Sequence, residues 1–391
     1  MTHVEDRALY GGADGTRQAI KALTSLRDML AGHHSSNVSV KWDGAPAIFA
    51  GTDPRDGKFF VAKKGIFNKN PKVYKTNADI DNDVSGELAK KLKMSLKYFA
   101  SLGITNVIQG DLLFTKGDTK TEEIDGDSYI TFHPNTIVYA VEAGSRDAKE
   151  IQKADIGVVW HTSYSGDSFE NMKASYGVNV SKLKKTSKVW QQDALLRDLS
   201  NRATLSTKET NSVNAHLSLA GKLFREVEGT TLKELEANQT LARHIETFNN
   251  TFVRKGQMIG NTTSHVESLI QWIDDKYQKE IDKRKSEKGK ATQRDNLSKL
   301  LSFFSPTNKR SLKKLFDLQK ALVSAKLLLI NKLNDVKSIK TFLLTSHGFR
   351  STEPEGYVAI DKLGGNAVKL VNRYEFSTSN FDASILKGWD K

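Results

Sequence analysis

The chain has no cysteine. That excludes a disulfide framework and any metal centre built on thiolates, and it suits a reducing compartment. Long apolar runs are missing as well. The most apolar stretch, Ala325 to Leu333, is interrupted by Lys326 and Lys332 and is too short to span a bilayer. The polar start, Met1-Thr2-His3-Val4-Glu5-Asp6-Arg7, is not the pattern of a secretory leader, so a soluble, cytoplasmic protein is expected. No internal repeat is evident. His133 and His161 have no second ligand at a metal-binding spacing and read as hydrogen-bonded structural histidines. What the chain has in surplus is positive charge. Fifty-nine Lys and Arg against 46 Asp and Glu give +13, which favours a polyanionic partner, nucleic acid ahead of an anionic membrane. A hydrophobic share of 38% is ordinary for a globular protein, and 391 residues are enough for two or three domains.

Hydrophobic spacing divides the chain. Gly15 to Ala31 reads as a helix packing on a sheet, with Ile20, Leu23, Leu26 and Leu30 at helical spacing. Ser85 to Leu102 is a second, basic helix with Leu88, Leu92 and Leu96 on one face. From Ile104 to Gly166 short apolar runs alternate with Gly, Asp, Pro and Asn, the pattern of strands and turns, and Thr115 to Asp127 is expected as a surface hairpin. After Gly166 strand signals nearly vanish. Val266, Leu269, Ile270, Ile273, Tyr277 and Ile281 fit one helix face, and Leu312, Leu315, Leu318, Leu322, Ala325, Leu329, Leu333 and Val336 fit another. The net basic run Lys279 to Lys290 between them is expected as a mobile loop, and Leu297 to Phe304 as a helix that stops before Pro306. Strands return at Tyr357 to Ile360 and Ala367 to Val371. The fold expected is α+β: a strand-rich domain formed by residues 1–165 and 346–391, interrupted by an all-helical insertion at 166–345.

The stretch Val38 to Ala50 stands out. Val38 and Val40 alternate with polar residues, and Asp43-Gly44 is a tight-turn pair before a second apolar run, so a hairpin is expected. Lys41 and Asp43 then sit at the end of a strand, where a fixed backbone aims a lysine into a cleft. Lys41-Trp42-Asp43-Gly44 resembles the nucleotide-accepting motif of the covalent nucleotidyltransferases, which comprise ATP-dependent DNA ligases, RNA ligases and mRNA-capping enzymes. Further stretches resemble that family's motifs in their order along the chain: Phe59 to Gly65, Val107 to Leu113, Ile137 to Glu142, Glu355-Gly356-Tyr357-Val358, and Ala367-Val368-Lys369-Leu370.

The resemblance implies a ligase-type adenylation domain of antiparallel sheets with flanking helices, using ATP and Mg2+. It implies that Lys41 attacks the α-phosphate and becomes lysyl-AMP, that Lys369 is a catalytic cation, and that Lys41, Asp43, Gly44, Lys63, Asp111, Tyr139, Glu355 and Lys369 bind the nucleotide, Tyr139 by stacking on adenine. Asp111 and Glu355, hard oxygen donors, are the expected metal ligands. Lys63, Lys64 and Lys69, interleaved with Phe67 and Tyr74, are candidates for nucleic-acid contact, as are Lys283, Arg284, Lys285 and Lys288. Departures from the family are Pro46 after the Lys-x-Asp-Gly-x stretch, a single lysine in the last motif with Arg373 on the same strand face, and no room for an OB-fold domain. The expected activity is that of a monomeric, phage-type polynucleotide ligase joining 5′-phosphate and 3′-hydroxyl ends, RNA ahead of DNA. The alternatives are a DNA-nick ligase of unusual architecture and an inactive relative that binds nucleic acid.

Overall fold

The computed structural model describes residues 3–32, 37–196, 204–335, 339–360 and 367–388. In chain order, α1 (Arg7–Tyr10) and α2 (Gly12–Leu30) precede β1 (Asn37–Lys41), β2 (Ala47–Thr52) and β3 (Phe59–Ala62). Then come α3 (Asn77–Asp81), α4 (Gly86–Phe99), β4 (Val107–Thr115), β5 (Thr119–Ile124), β6 (Asp127–Phe132) and β7 (Ile137–Glu142). α5 (Arg146–Lys153) leads to β8 (Ile156–Ser165), β9 (Lys173–Tyr176) and β10 (Val189–Asp193). Six helices follow: α6 (Thr207–Glu226), α7 (Gly229–Ala237), α8 (Gln239–Val253), α9 (Thr262–Asp282), α10 (Glu287–Leu301) and α11 (Pro306–Asn334). The chain closes with β11 (Lys340–Thr345), β12 (Gly348–Ser351), β13 (Gly356–Ile360), β14 (Ala367–Leu370) and α12 (Arg373–Phe381).

The fold is α+β, and the elements divide into two compact units. One comprises Asn37–Leu199, Val336–Gly365 and Asp382–Lys391, the other Met1–Ser36, Ser200–Asp335 and Asn366–Phe381. The first is strand-rich. One of its sheets has the order β10-β8-β4-β2-β3 with β9 on β8, and another the order β12-β11-β7-β6-β5. Pairing is antiparallel except between β10 and β8. Period-2 alternation sorts side chains between the faces of the first sheet. Ile48, Ile108, Leu112, Val158 and Trp160 face Leu92 and Phe99 of α4, whereas Phe49, Phe60, Ala62 and Val107 pack with Phe169 on the other side. The hairpin expected at 115–127 is shifted along the chain: β5–β6 spans 119–132 and turns at Asp125-Gly126 with φ of 53° and 86°, where glycine meets no steric penalty.

The second unit is helical. Local chemistry marks its helix starts: Ser206 and Glu209 form a capping box on α6, Asn261 caps α9, Ser286 caps α10, and Ser305 with Pro306 opens α11. α11 is the axis of the packing, contacting α2, α6 and α9 and burying Leu312, Leu315, Leu318, Leu322, Leu329 and Leu333. The expected apolar face of α11 is therefore realised, except Val336, which lies outside the described residues.

Several expectations change. Val38 to Ala50 is not a hairpin: β1 pairs with β13, and β2 pairs with β3 and β4. α2 clusters with the helices α6, α7 and α11 rather than with a sheet. Residues 173–176 and 189–193 are still strands, so helices take over only at Thr207. Lys279 to Lys290 is mostly helix, the end of α9 and the start of α10, with a short turn between. Arg373 opens a helix instead of continuing a strand.

Lys326, read as a break in an apolar run, is fully buried. Its Nζ donates to both oxygens of Glu5 at 2.8 and 2.9 Å. Arg373 donates to Asp6 and lies 3.4 Å from Glu5. Burial works to raise the Glu5 carboxyl, but Lys326 and Arg373 outweigh it and leave it well below the usual range. Removing one partner strands a buried charge, whereas removing both does not. Lys326→Ala is therefore expected to cost about 3–5 kcal/mol in a denaturant titration, and Glu5→Gln combined with Lys326→Met to recover most of that loss. A double variant no more stable than the single one would show that the pair's charges are not what the site requires.

Candidate active site

The site belongs to the strand-rich unit and begins at the end of β1. This strand is held on one edge by β13, with Lys41 opposite Gly356, and on the other by Val40 N–H donating to Ala194 and Leu196 N–H donating to Val38. A strand held on both edges gives its last side chain a fixed direction. The residue preceding Gly356, Glu355, is buried and accepts a charge-assisted hydrogen bond from Lys41 Nζ. Lys41 is itself one-third exposed.

The loop after Lys41 is pinned by Asp43. Its carboxylate accepts from Asn135 Nδ2 at 2.6 Å, Thr136 N–H at 2.7 Å and Ile137 N–H at 3.0 Å. Its own N–H donates to Tyr139 Oη at 2.6 Å. Gly44 then crosses β4 so closely that a Cβ would lie 2.6 Å from Asp111 Cβ and 2.9 Å from the Leu112 carbonyl oxygen. Only glycine fits there. Ala45 N–H donating to Leu112 and Leu112 N–H donating to Pro46 complete the seam.

That seam brings the loop against Asp111. Burial pushes the Asp111 carboxyl up to about 7, with Lys41 opposing and Glu355 and Asp43 adding to the rise. Lys64 also acts on this group as a cation. The pairing of β4 with β8 has a bulge beside it: Gln109 is opposite Thr162 and Gly110 opposite Trp160, leaving His161 as the extra residue. The bulge turns His161 inward, with Nε2 3.8 Å from Asp111 Oδ2. Burial, helped by Lys41, lowers its imidazole to about 4, so it is neutral at pH 7. The sequence reading of His161 as structural missed this contact, because a bulge set by the pairing of β8 with β4 leaves no periodic signal in either strand.

The other expected residues separate. Tyr139 is a core aromatic, 2% exposed, its ring covered by Trp42 at 4.9 Å and Phe132 at 5.5 Å, so it does not offer a face for a base. Its hydroxyl positions Asp43 instead. Lys63 lies 3.3 Å from Asp83, a carboxylate also shared by Lys72 and Tyr74, which places it in a salt-bridge cluster. Lys64 and Lys69 are exposed. Lys369 belongs to the helical unit, where its strand meets His3. Lys283, Arg284, Lys285 and Lys288 are all exposed around the α9–α10 turn. An exposed aromatic that sequence reading left among the lysines is Phe67, at the end of the turn Lys64–Phe67 and 46% exposed. Its ring packs on Phe49 at 5.4 Å and Tyr164 at 5.1 Å, and Tyr164 donates to Gln109, two residues before Asp111 on β4.

Among the described residues no helix is long and apolar enough to cross a membrane. Residues 1–385 match a family of unknown function, DUF6267. No curated protein and no solved structure matches the chain.

An acid whose carboxyl is raised by folding binds more protons in the native than in the unfolded state between the two pKa values. Its contribution is therefore favourable at low pH and is lost as pH rises to about 7. Asp111→Asn removes that penalty. In chelator-treated protein it is expected to gain about 1 kcal/mol at pH 8, the partial exposure of the side chain reducing the full shift, and almost nothing at pH 4. Thermal melts across this range check it; a gain that grows toward low pH would contradict the assignment.

Proposed function

The chain belongs to this family of unknown function, and from its own geometry we propose that it is an ATP-dependent polynucleotide ligase that works through lysyl-AMP and joins 5′-phosphate to 3′-hydroxyl ends, RNA ahead of DNA. One observation carries the reading. A lysine on a doubly held strand end faces two carboxylates, Glu355 and Asp111, of which Asp111 is left with its carboxyl raised into the neutral range. A raised acid also accompanies the buried Lys326–Glu5 pair, at Asp6, but there the lysine has no solvent access, whereas Lys41 is one-third exposed, and sites that do chemistry collect raised acids around an accessible group.

In this reading Lys41 must lose a proton before it attacks, and Glu355, already hydrogen-bonded to Nζ, is placed to receive it. The Nζ–phosphorus bond forms at the α-phosphate of ATP as the bond to pyrophosphate breaks. The adenylyl group then passes to a 5′-phosphate, and a 3′-hydroxyl displaces AMP. Lys64 supplies positive charge on the phosphate side, and Phe67 with Tyr164 supplies an aromatic face that Tyr139 cannot. Asp111 and Glu355, two oxygen-donor acids whose charges oppose each other, fit a hard divalent cation such as magnesium, which would supply charge against the triphosphate. The α9–α10 turn, with Lys283, Arg284, Lys285 and Lys288 exposed, is proposed as a clamp on the phosphate backbone. RNA is placed ahead of DNA because the helical unit resembles RNA ligases slightly more than DNA ligases.

Incubation with ATP labelled at the α-phosphate, plus magnesium, is expected to leave acid-stable label on the protein that pyrophosphate removes. Lys41→Ala should abolish it, and Asp111→Ala and Glu355→Ala should each lower the rate by about 100-fold or more. Full labelling of Lys41→Ala would end the proposal. Neutralising Lys283, Arg284, Lys285 and Lys288 together is expected to weaken binding of a nicked oligonucleotide and to flatten its salt dependence. Titrations at two salt concentrations measure both, and an unchanged slope would remove the clamp from the reading.

A further inference from the structure

A second feature of the strand-rich unit lies on the far side of β8 from Asp111. A groove of about 980 Å³ runs between α5 and the segment 176–191. Its walls carry Arg146, Lys153 and Lys185, with Tyr176 as aromatic surface. The single carboxylate in the lining, Glu150, is held by Arg146 at 3.0 Å. Lys153 and Lys185 are exposed and have no carboxylate partner among the described residues. The segment from Asn171 to Gln192 contains five lysines and no Asp or Glu. Asn179, Ser181, Thr186, Ser187 and Gln191 add amides and hydroxyls to the same lining.

The combination selects an occupant. Unpaired ammonium groups call for an anion. A volume at the upper end of ligand sites calls for several linked units rather than one nucleotide. Amides, hydroxyls and a half-buried tyrosine ring suit bases and sugars, which an acidic peptide lacks. The groove also adjoins the candidate active site. Tyr176 is opposite Thr162 on β8, and Gly177 N–H donates to the carbonyl of His161, whose ring faces Asp111.

We propose that this groove binds a single-stranded segment of nucleic acid and leads it along β8 toward the Lys41–Asp111 cleft. The occupant's chemistry stands on the groove alone; its role as substrate rests on the ligase reading.

The test uses the full chain and a fluorescein-labelled, single-stranded 12-nucleotide RNA, followed by anisotropy without ATP, so that a protein that fails to self-label still reports on the groove. Lys153→Glu with Lys185→Glu is expected to weaken binding by about 10-fold or more and to reduce the dependence of log affinity on log salt by about 1.4, two single-strand phosphate contacts' worth. Lys153→Gln with Lys185→Gln should give a smaller change in the same direction, and circular dichroism melts confirm that both fold. Unchanged affinity and slope in the Glu variant would overturn the proposal. So would a blunt duplex of the same sequence that binds as tightly and is equally weakened, or a 12-residue polyglutamate that competes as well as the RNA. Groove binding that persists in a protein that never labels with ATP would sink the ligase reading and leave the groove standing; labelling with no groove effect would do the reverse.

Discussion

The interaction on which the rest of the site depends is the set of three donors on the Asp43 carboxylate. A buried carboxylate is stable only when its oxygens are satisfied, and Asn135, Thr136 and Ile137 do this from the loop before β7. The clamp fixes the path of the chain just after Lys41. Gly44 can then lie on β4 at Asp111, and Lys41, at the end of β1, is left facing Glu355. Tyr139 belongs to the same construction: its hydroxyl takes the Asp43 N–H, and its ring is packed away between Trp42 and Phe132. The geometry around Lys41 is set by residues such as Asp43 and Tyr139, which are buried.

The two units treat buried charge differently. In the helical unit Glu5, Asp6, Lys326 and Arg373 are paired, although burial still raises the Asp6 carboxyl to about 6. In the strand-rich unit Lys41 is shared between acids, and Asp111 is left near neutrality, with a neutral His161 as its neighbour. What separates the two clusters is access: Lys326 is fully buried, whereas Lys41 is one-third exposed to solvent.

Much of the local structure was legible in the sequence. The apolar face of α11 and a hairpin near residues 115–132 follow from spacing and from turn residues. Lys41, Asp43, Gly44, Asp111 and Glu355 stood out, with Lys63, Tyr139 and Lys369, only through their resemblance to one family's motifs, and the structure brings the first five together. Tyr139 was misread because aromatic character marks a ring without saying whether its faces are free. The Val38 to Ala50 hairpin was misread because the Asp-Gly pair is a local turn signal, whereas the Asp43 carboxylate is claimed by a loop more than ninety residues later. β9 and β10 were missed because both are short, and β9 is largely polar; pairing with β8 supplies what their own sequences do not.

What the sequence determined by itself is what depends on neighbours along the chain: helix periods, caps, tight turns, the absence of thiols and the excess of lysine. What only the tertiary structure decided is which groups meet across long separations. Glu355 reaches Lys41 from 314 residues away and Lys326 reaches Glu5 from 321. His161 turns toward Asp111 because of one unpaired residue between β4 and β8. Periodicity is written in the spacing of each segment, but register and partner choice depend on how whole strands and helices exclude water from one another, and no short stretch carries that information alone.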